Sequence, residues 1–245
     1  MVGVTGLSSD LTAAASPILA ARKLVAECQK RYEAVEDYSC TFHKREMVKG
    51  KLTPTYQIAM KVRTQPFSVY LKFHNPKAGR EAIFVKGRNN GKVIAHDVGV
   101  AKVLAGTMRL DPHEKMAMED NRHPITEAGI GHLIETLVDR WAVELQPGES
   151  RVVIDPNHLW NGRTCTLITS THPEKRPEFL FHEVKVYIDQ ELGLPVRFEA
   201  YDWPHDASGR PVLVEEYSYH DVKLNVGLGD ADFHHENKAY SFGRF

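Results

Sequence analysis

Long apolar runs are missing from this sequence of 245 residues. It has no stretch of eighteen or more apolar residues, which excludes an ordinary membrane-spanning helix. Residues 1–15 also lack a positively charged start followed by an apolar block, so they do not read as a signal peptide. We expect residues 1–15 to be a flexible N-terminal segment and residues 16–245 to be a single domain, long enough to bury a sizeable core.

Cysteine is scarce, with only Cys28, Cys40 and Cys165 in the chain. None of them is part of a CxxC motif, which excludes a zinc ribbon, a haem-attachment site and a thioredoxin-like site. An odd number of cysteines permits at most one disulfide. Cys28 falls on a helical apolar stripe and Cys40 on the apolar face of a predicted strand, so we expect buried structural thiols.

Motifs for metal, phosphate and nucleophile chemistry are absent as well. The thirteen histidines include no HxxxH or HExxH spacing, and His234 and His235 would point to opposite faces of a predicted strand. There is no GxSxG elbow and no glycine-rich phosphate loop. The basic strands carry no RNP-like aromatic motif, which argues against nucleic acid. The sequence therefore predicts no catalytic residue, no metal, no cofactor and no nucleic-acid partner.

Charge is nearly balanced over the whole chain but is unevenly distributed. Residues 44–92 contain twelve Lys or Arg against only Glu46 and Glu81, and the chain after Lys92 contains fifteen against twenty-five Asp or Glu. One interpretation is that the two halves face each other in one sheet and neutralise. The other is that residues 44–92 form a basic outer face for an anionic membrane surface or an acidic partner.

Two segments have the period of an amphipathic helix. Residues 16–35 begin with Ser16 and Pro17, a suitable N-cap and first-turn residue. Their apolar face consists of Ile18, Ala21, Val25, Cys28, Tyr32 and Val35. Residues 126–145 begin near Thr126 and end before Pro147-Gly148. Their apolar stripe consists of Ile130, Leu133, Ile134, Leu137, Val138 and Trp141.

Most of the remaining chain alternates apolar and polar residues with a period of two, which predicts strands with one buried face. A turn at Asn89-Asn90-Gly91 joins two of them, and residues 99–124 read as a loose strand or loop. The predicted strands are 38–48, 56–64, 67–74, 81–86, 92–96, 151–155, 163–171, 179–189, 194–202, 212–224 and 231–241.

These elements predict an α+β fold. A sheet with one apolar face must cover that face, and two amphipathic helices are available to do so. Ten or eleven antiparallel strands usually curl rather than remain flat. We therefore expect a strongly curved sheet, a half-barrel, covered by two main helices.

A half-barrel of this kind encloses space between sheet and helices. An empty volume of about 300 Å³ would cost roughly 7 kcal/mol, at about 24 cal/mol per Å³, which rivals the total stability of a domain. The interior must hold either helix side chains or a ligand. The residues predicted to line an apolar ligand cavity are Met60, Val62, Val69, Leu71, Phe73, Phe84, Leu133, Leu137, Trp141, Val186 and Phe198.

Several segments resemble a bacterial family known as domain of unknown function 1571, over about residues 20 to 242. They include YSCTF at 38–42, KVR at 61–63, GREA at 79–82 and PITE at 124–127. Members of that family are usually exported. The resemblance therefore implies an extracytoplasmic location, in the periplasm or cell envelope, with a leader that is absent from this chain.

More distantly, the order of elements resembles the outer-membrane lipoprotein carrier and receptor superfamily, the LolA/LolB-like proteins. The meander from Gln65 to Gly87 and the hairpin from Tyr187 to Arg197 carry this resemblance. It implies an unclosed barrel with helices over an acyl-chain cavity, and a lipid or lipoprotein acyl chain as partner. Arg63 is the nearest counterpart of the carriers' acyl-gating arginine, although its alternation places it on the outer face.

Three functions remain open from the sequence. The first is a non-enzymatic envelope protein that holds a lipid, acyl chain or lipoprotein in the apolar cavity. The second is a structural or partner-binding envelope module without a ligand cavity. The third is a hydrolase or metal enzyme that uses the 111–123 loop, where Asp111, His113 and Glu114 form a dense polar cluster and His123 follows.

Overall fold

The computed structural model describes residues 17–98, 106–144, 150–206 and 208–243, so the predicted flexible segment 1–15 lies outside it. Two α-helices are present, α1 (Pro17–Tyr32) and α2 (Ile130–Glu144). The strands are β1 (Asp37–Val48), β2 (Lys51–Leu52), β3 (Tyr56–Arg63), β4 (Ser68–Asn75), β5 (Glu81–Val85), β6 (Val93–His96), β7 (Thr107–Leu110), β8 (Arg151–Trp160), β9 (Arg163–Thr171), β10 (Glu183–Asp189), β11 (Leu194–Asp202) and β12 (Val212–Leu224).

All twelve strands belong to one antiparallel sheet. Its order is β7-β6-β5-β4-β3-β1-β12-β11-β10-β9-β8, and β2 pairs with β1. The first and last long strands, β1 and β12, pair at the centre, so the two halves of the chain meet there. In the described part of the chain β7 and β8 are the two edges, so the sheet is open. This confirms the predicted fold class.

Both helices pack on one face of the sheet, which confirms the prediction that two helices cover it. Val25 and Cys28 of α1 and Leu137 and Trp141 of α2 join the main apolar cluster, which includes inward residues of β1, β3 and β9 to β12. Burying each such side chain contributes about 1.5–3 kcal/mol. The three cysteines are free and buried, as the sequence predicted.

A single hydroxyl group ties the start of α2 to the sheet. Tyr38 of β1 is fully buried, and its hydroxyl accepts a hydrogen bond from the backbone N–H of Ile130 at 2.9 Å. Gly129, just before the helix, has a φ of 105°, a region that favours glycine. A 3₁₀ turn at Ile125–Glu127 precedes it. These features explain why α2 begins four residues after the predicted start.

The final predicted strand, 231–241, is wrong. A 3₁₀ helix at Asp230–Phe233 and a series of turns occupy this region. They cover the outer face of the sheet, where Phe233 joins a cluster with Tyr70, and the Tyr70 and Tyr240 rings stack at 3.9 Å. Because there is no strand here, the His234 and His235 rings do not point to opposite faces. They stack with centroids 4.8 Å apart.

Ion pairs neutralise much of the basic region 44–92. Seven of its twelve Lys or Arg side chains contact carboxylates, five of them through Asp97, Asp120, Asp230 or Asp232, which all follow the basic region. The remaining pairs use Glu46 and Glu81 within the region, and Arg80 contacts both Asp97 and Asp120. The seven side chains are Lys44, Lys61, Arg63, Lys72, Lys77, Arg80 and Arg88. The geometry favours mutual neutralisation of the two halves over a free basic face.

Candidate ligand-binding cavity

A cavity of about 410 Å³ lies between the helix-covered face of the sheet and α2. Strand β7 and the segment that follows it form part of the cavity wall. We call residues 112–129, which lie between β7 and α2, the strap. The volume is within the range of small-molecule sites, about 300–1,000 Å³.

Seven of the eleven residues predicted to contact a ligand line this cavity. They are Met60, Leu71, Phe73, Leu133, Leu137, Trp141 and Phe198. Val62, Val69 and Val186 are buried within the main apolar cluster and do not line the cavity, and Phe84, also outside the lining, packs near Phe67 with ring centroids 6.2 Å apart. Near Val62 the start of α2 lies directly on the sheet, because Gly129 has no side chain to hold it away.

Further apolar lining comes from residues that the sequence prediction missed. Phe42 and Ile58 have the same alternation as Cys40 and Met60, so the pattern could have identified them. Met108 and Leu110 belong to β7, within residues 99–124, for which the sequence predicts a loose strand or loop. No sequence signal placed β7 against the cavity, because its position depends on pairing with β6.

A buried charged network between the strap and the central strands forms part of the cavity wall. Glu46 of β1 accepts hydrogen bonds from Lys44 Nζ at 3.0 Å, from the backbone N–H of Arg122 at 3.0 Å and from the Tyr217 hydroxyl at 2.6 Å. Lys44 also contacts Asn121. Burial, together with the nearby carboxylates, raises the pKa of Tyr217 well above its usual range, so its hydroxyl remains a donor.

Glu215 of β12 is the second anchor of the strap. Its Oε1 atom accepts a hydrogen bond from Arg122 Nε at 2.8 Å and lies 3.1 Å from His123 Nε2. Burial opposes ionisation of Glu215, but the hydrogen bonds and charges of His123 and Arg122 outweigh it and lower its pKa. The hydrogen bond to Glu215 raises the pKa of His123 to about 8, against the opposing effect of burial. Glu215 and His123 are therefore both charged at neutral pH.

Two exposed apolar side chains mark the mouth of the cavity. Met116 of the strap and Leu180, which precedes β10, are each 54% exposed although both line the cavity. From α2, the cavity wall includes His132, Thr136 and Arg140, which follow one another at four-residue steps. Exposed large apolar side chains at the rim of a cavity are typical of a binding site rather than of a free surface.

A buried acid–base pair lies near the last turn of α2. Glu144 lines the cavity, and its Oε2 atom is 3.3 Å from Nε2 of the fully buried His172. His172 Nδ1 faces the carbonyl of Phe181 at 2.7 Å, and Nε2 faces the Ser150 hydroxyl at 3.1 Å. A carbonyl can only accept, so the Nδ1 atom carries a proton. This differs from a serine–histidine–acid triad, in which the acid contacts the nitrogen remote from serine.

The polar cluster of the 111–123 loop does not come together as a site. The Asp111 side chain accepts a hydrogen bond from the His113 backbone within its own turn, and His113 and Glu114 are exposed. His123 lies apart, in the network around Glu215. Within the described ranges no group of three His, Cys, Asp or Glu side chains is arranged to hold a metal ion.

A family model described as "Protein of unknown function (DUF1571)" matches residues 35–242. The chain belongs to this family. In the described part of this DUF1571 protein, no helix is both long enough and apolar enough to cross a membrane. Comparison with curated protein sequences found no match.

Solved structures similar to this DUF1571 chain include the Mycobacterium tuberculosis lipoprotein LppX, at 12% identity over 86% of this chain and 98% of that one, with a TM-score of 0.48. A DUF1329 family protein from Desulfovibrio piger matches at 12% identity over 90% and 98%, with a TM-score of 0.42. A LolA superfamily protein from Nitrosomonas europaea matches at 12% identity over 87% and 97%, with a TM-score of 0.35.

Proposed function

We propose that this protein is a non-enzymatic binding protein that holds a lipid or acyl chain in the cavity between sheet and α2. The observation that carries the proposal is the apolar cavity of about 410 Å³, whose walls include Met60, Leu71, Phe73, Trp141 and Phe198. A bound apolar group would cover these side chains from water, and burial of apolar surface contributes about 25 cal/mol per Å².

The arrangement of charge supports an elongated amphiphilic guest. The charged network around Glu46 and Glu215 forms one part of the wall, whereas Met116 and Leu180 are exposed apolar side chains at the mouth. An acyl chain can enter from the mouth and leave its polar group near the rim. The proposal extends to an extracytoplasmic location, as the family resemblance of the sequence implies. It does not include an anionic membrane surface as partner, because the basic residues 44–92 are largely paired.

A cavity-filling variant tests this function. Ala82 of β5 lines the cavity and pairs with Leu71 and Ala95, which line it too. We expect Ala82→Phe to weaken binding of the fluorescent apolar probe N-phenyl-1-naphthylamine by at least about tenfold, equivalent to about 1.4 kcal/mol. The probe's fluorescence should rise on binding to the native protein with one site per chain.

Ala59→Phe is the matched control. Ala59 is the same residue type on a neighbouring strand, β3, where it pairs with Lys72 and lies on the opposite face from Met60. It should change the melting temperature without changing probe affinity. Absence of saturable probe binding by the native protein, or equal loss in both variants, would contradict the proposed function.

A further inference from the structure

The charges that line the cavity are predominantly negative. Eight carboxylate side chains and four Lys or Arg side chains contribute to the lining. Glu81 turns its carboxylate to the outer face, where it accepts a hydrogen bond from the backbone of Ser241 at 2.8 Å. The other seven carboxylates still outnumber the positive charges by one when His123 is included together with Lys77, which pairs with Asp120 from outside the lining. The cavity therefore repels an anion and attracts a cation.

Three of the four cations are already held by carboxylates. Lys44 pairs with Glu46 at 3.0 Å, Arg122 with Glu215 at 2.8 Å, and Arg80 makes two parallel hydrogen bonds to Asp97 at 2.9 and 2.8 Å. A bidentate pair of this kind is among the strongest side-chain interactions. An anionic group could pair with any of these three cations only by displacing its carboxylate.

Glu144 adds an unsatisfied acceptor. Its side chain is only 5% exposed, and its Oε2 atom is buried without a hydrogen-bond donor. His172 Nε2 is 3.3 Å away, within ion-pair distance but not aligned for a hydrogen bond. Leaving a buried polar atom without a partner is costly. A hydroxyl or ammonium group that reached this oxygen would supply the missing donor, whereas a carboxylate or sulfate head group has no hydrogen to donate.

On these grounds we propose that the guest has an apolar body and a polar end that donates hydrogen bonds and is uncharged or positive, such as a hydroxyl or ammonium group. Fatty acids and anionic phospholipids are disfavoured. This inference rests on the proposed function, because it specifies the class of ligand that the same cavity takes. Arg140 differs from the other three lining cations, because among the described residues it pairs with no carboxylate and its side chain donates to the backbone carbonyl of Glu178 at 2.6 Å. It is therefore the place where an anionic ligand would bind if the inference were wrong.

A series of amphiphiles with one chain length and different head groups tests the inference. Decylammonium, 1-decanol and decyl sulfate, each as monomers, would compete with N-phenyl-1-naphthylamine for the native protein at low salt. Decyl sulfate keeps its charge at every working pH, so protonation cannot hide the effect. We expect it to bind at least about tenfold more weakly than decylammonium and 1-decanol, and we expect added salt to narrow the gap between the two charged ligands.

Variants identify the residues responsible. Glu144→Gln should reduce the ratio of decylammonium to decyl sulfate affinity, because the amide has no charge. Glu127→Gln, at the half-exposed rim, should do the same and serves if Glu144→Gln fails to fold. Glu135→Gln is the matched control, since Glu135 lies on α2 but is 70% exposed and outside the cavity wall. It should leave the ratio unchanged.

The possible failures are distinguishable. If decyl sulfate binds as tightly as decylammonium or more tightly, the ligand class is anionic, and the inference is overturned while the proposed function stands. Loss of that binding in Arg140→Gln would identify Arg140 as the partner of the anionic group. If none of the three amphiphiles displaces the probe, the proposed function falls and takes the inference with it.

Discussion

Replacing Tyr38 with phenylalanine removes one hydroxyl group from the junction between sheet and helix. That hydroxyl accepts the N–H of Ile130 at 2.9 Å in a fully buried position. Without it, the first N–H group of α2 has no partner from the sheet, and a buried unsatisfied donor costs about 1–3 kcal/mol. For a domain of this size a loss of 1 kcal/mol lowers the melting temperature by about 2–4 °C. We therefore expect Tyr38→Phe to melt about 2–12 °C lower.

A second substitution checks whether the geometry is responsible. A Cβ atom on Gly129 would lie 2.6 Å from the Tyr38 hydroxyl oxygen, and the next nearest atom, Val62 Cγ2, is at an ordinary 3.7 Å. Gly129→Ala should therefore destabilise the protein in two ways. One is the clash with the hydroxyl, and the other is backbone strain of about 1–3 kcal/mol at positive φ.

The clash disappears when the hydroxyl is absent, but the backbone strain does not. The Tyr38→Phe/Gly129→Ala double variant should accordingly be more stable than the sum of the two losses predicts, with a coupling of at least about 0.5 kcal/mol. Urea denaturation of the four proteins measures this coupling. Strictly additive losses, or a Tyr38→Phe variant as stable as the native protein, would refute the account of this junction.

Two further predictions concern titrating groups. Burial raises the pKa of Cys28 to about 12 and that of Cys165 to about 11, and it raises the pKa of Cys40 further. All three thiols should resist iodoacetamide at pH 8 in the native protein and react after unfolding, and rapid native labelling would contradict their burial. The pKa of His123 is raised from 6.5 to about 8 by Glu215, so its stabilising effect is fully present below pH 6.5 and is lost as the pH rises through about 8. The stability difference between the native protein and His123→Asn, measured by urea midpoints, should shrink over that interval, whereas a pH-independent difference would count against the ion pair.

Much of the fold could be predicted because burial imposes a period on the sequence. The inward residues Cys40, Phe42, Ile58 and Met60 alternate along β1 and β3, and the apolar stripe of α2 repeats with the helical period. Such patterns arise because one face of each strand or helix packs against the core. They predict strands and helices well wherever the opposite face is exposed or polar.

The C-terminal region could not be predicted in this way. Its structure depends on side chains that accept backbone hydrogen bonds, as when the Asp37 carboxylate accepts the N–H groups of Val226, Gly227 and Leu228. Phe233 and Tyr240 then pack on the outer face of the sheet, which alternation had assigned to solvent. Asp37 is about 190 residues away in sequence from the groups that it binds, so no local pattern reveals the contact.

The cavity was only partly predictable for a related reason. Alternation identifies which residues face inward, but it does not tell where a helix lies directly on the sheet and where it stands away from it. Val62 lies beneath the helix start because Gly129 permits close approach, while Met60, two residues earlier on the same face, borders the open space. The network that joins Arg122 and His123 to Glu215 spans more than 90 residues of sequence.

Native mass spectrometry of the purified protein tests the central claim most directly. The account predicts a lipid-like adduct of one molecule per chain, present on the native protein or acquired on incubation with 1-decanol, and absent from Ala82→Phe. If the native protein neither carries nor acquires an apolar adduct, and so behaves like Ala82→Phe, the claim that the cavity holds a guest is contradicted.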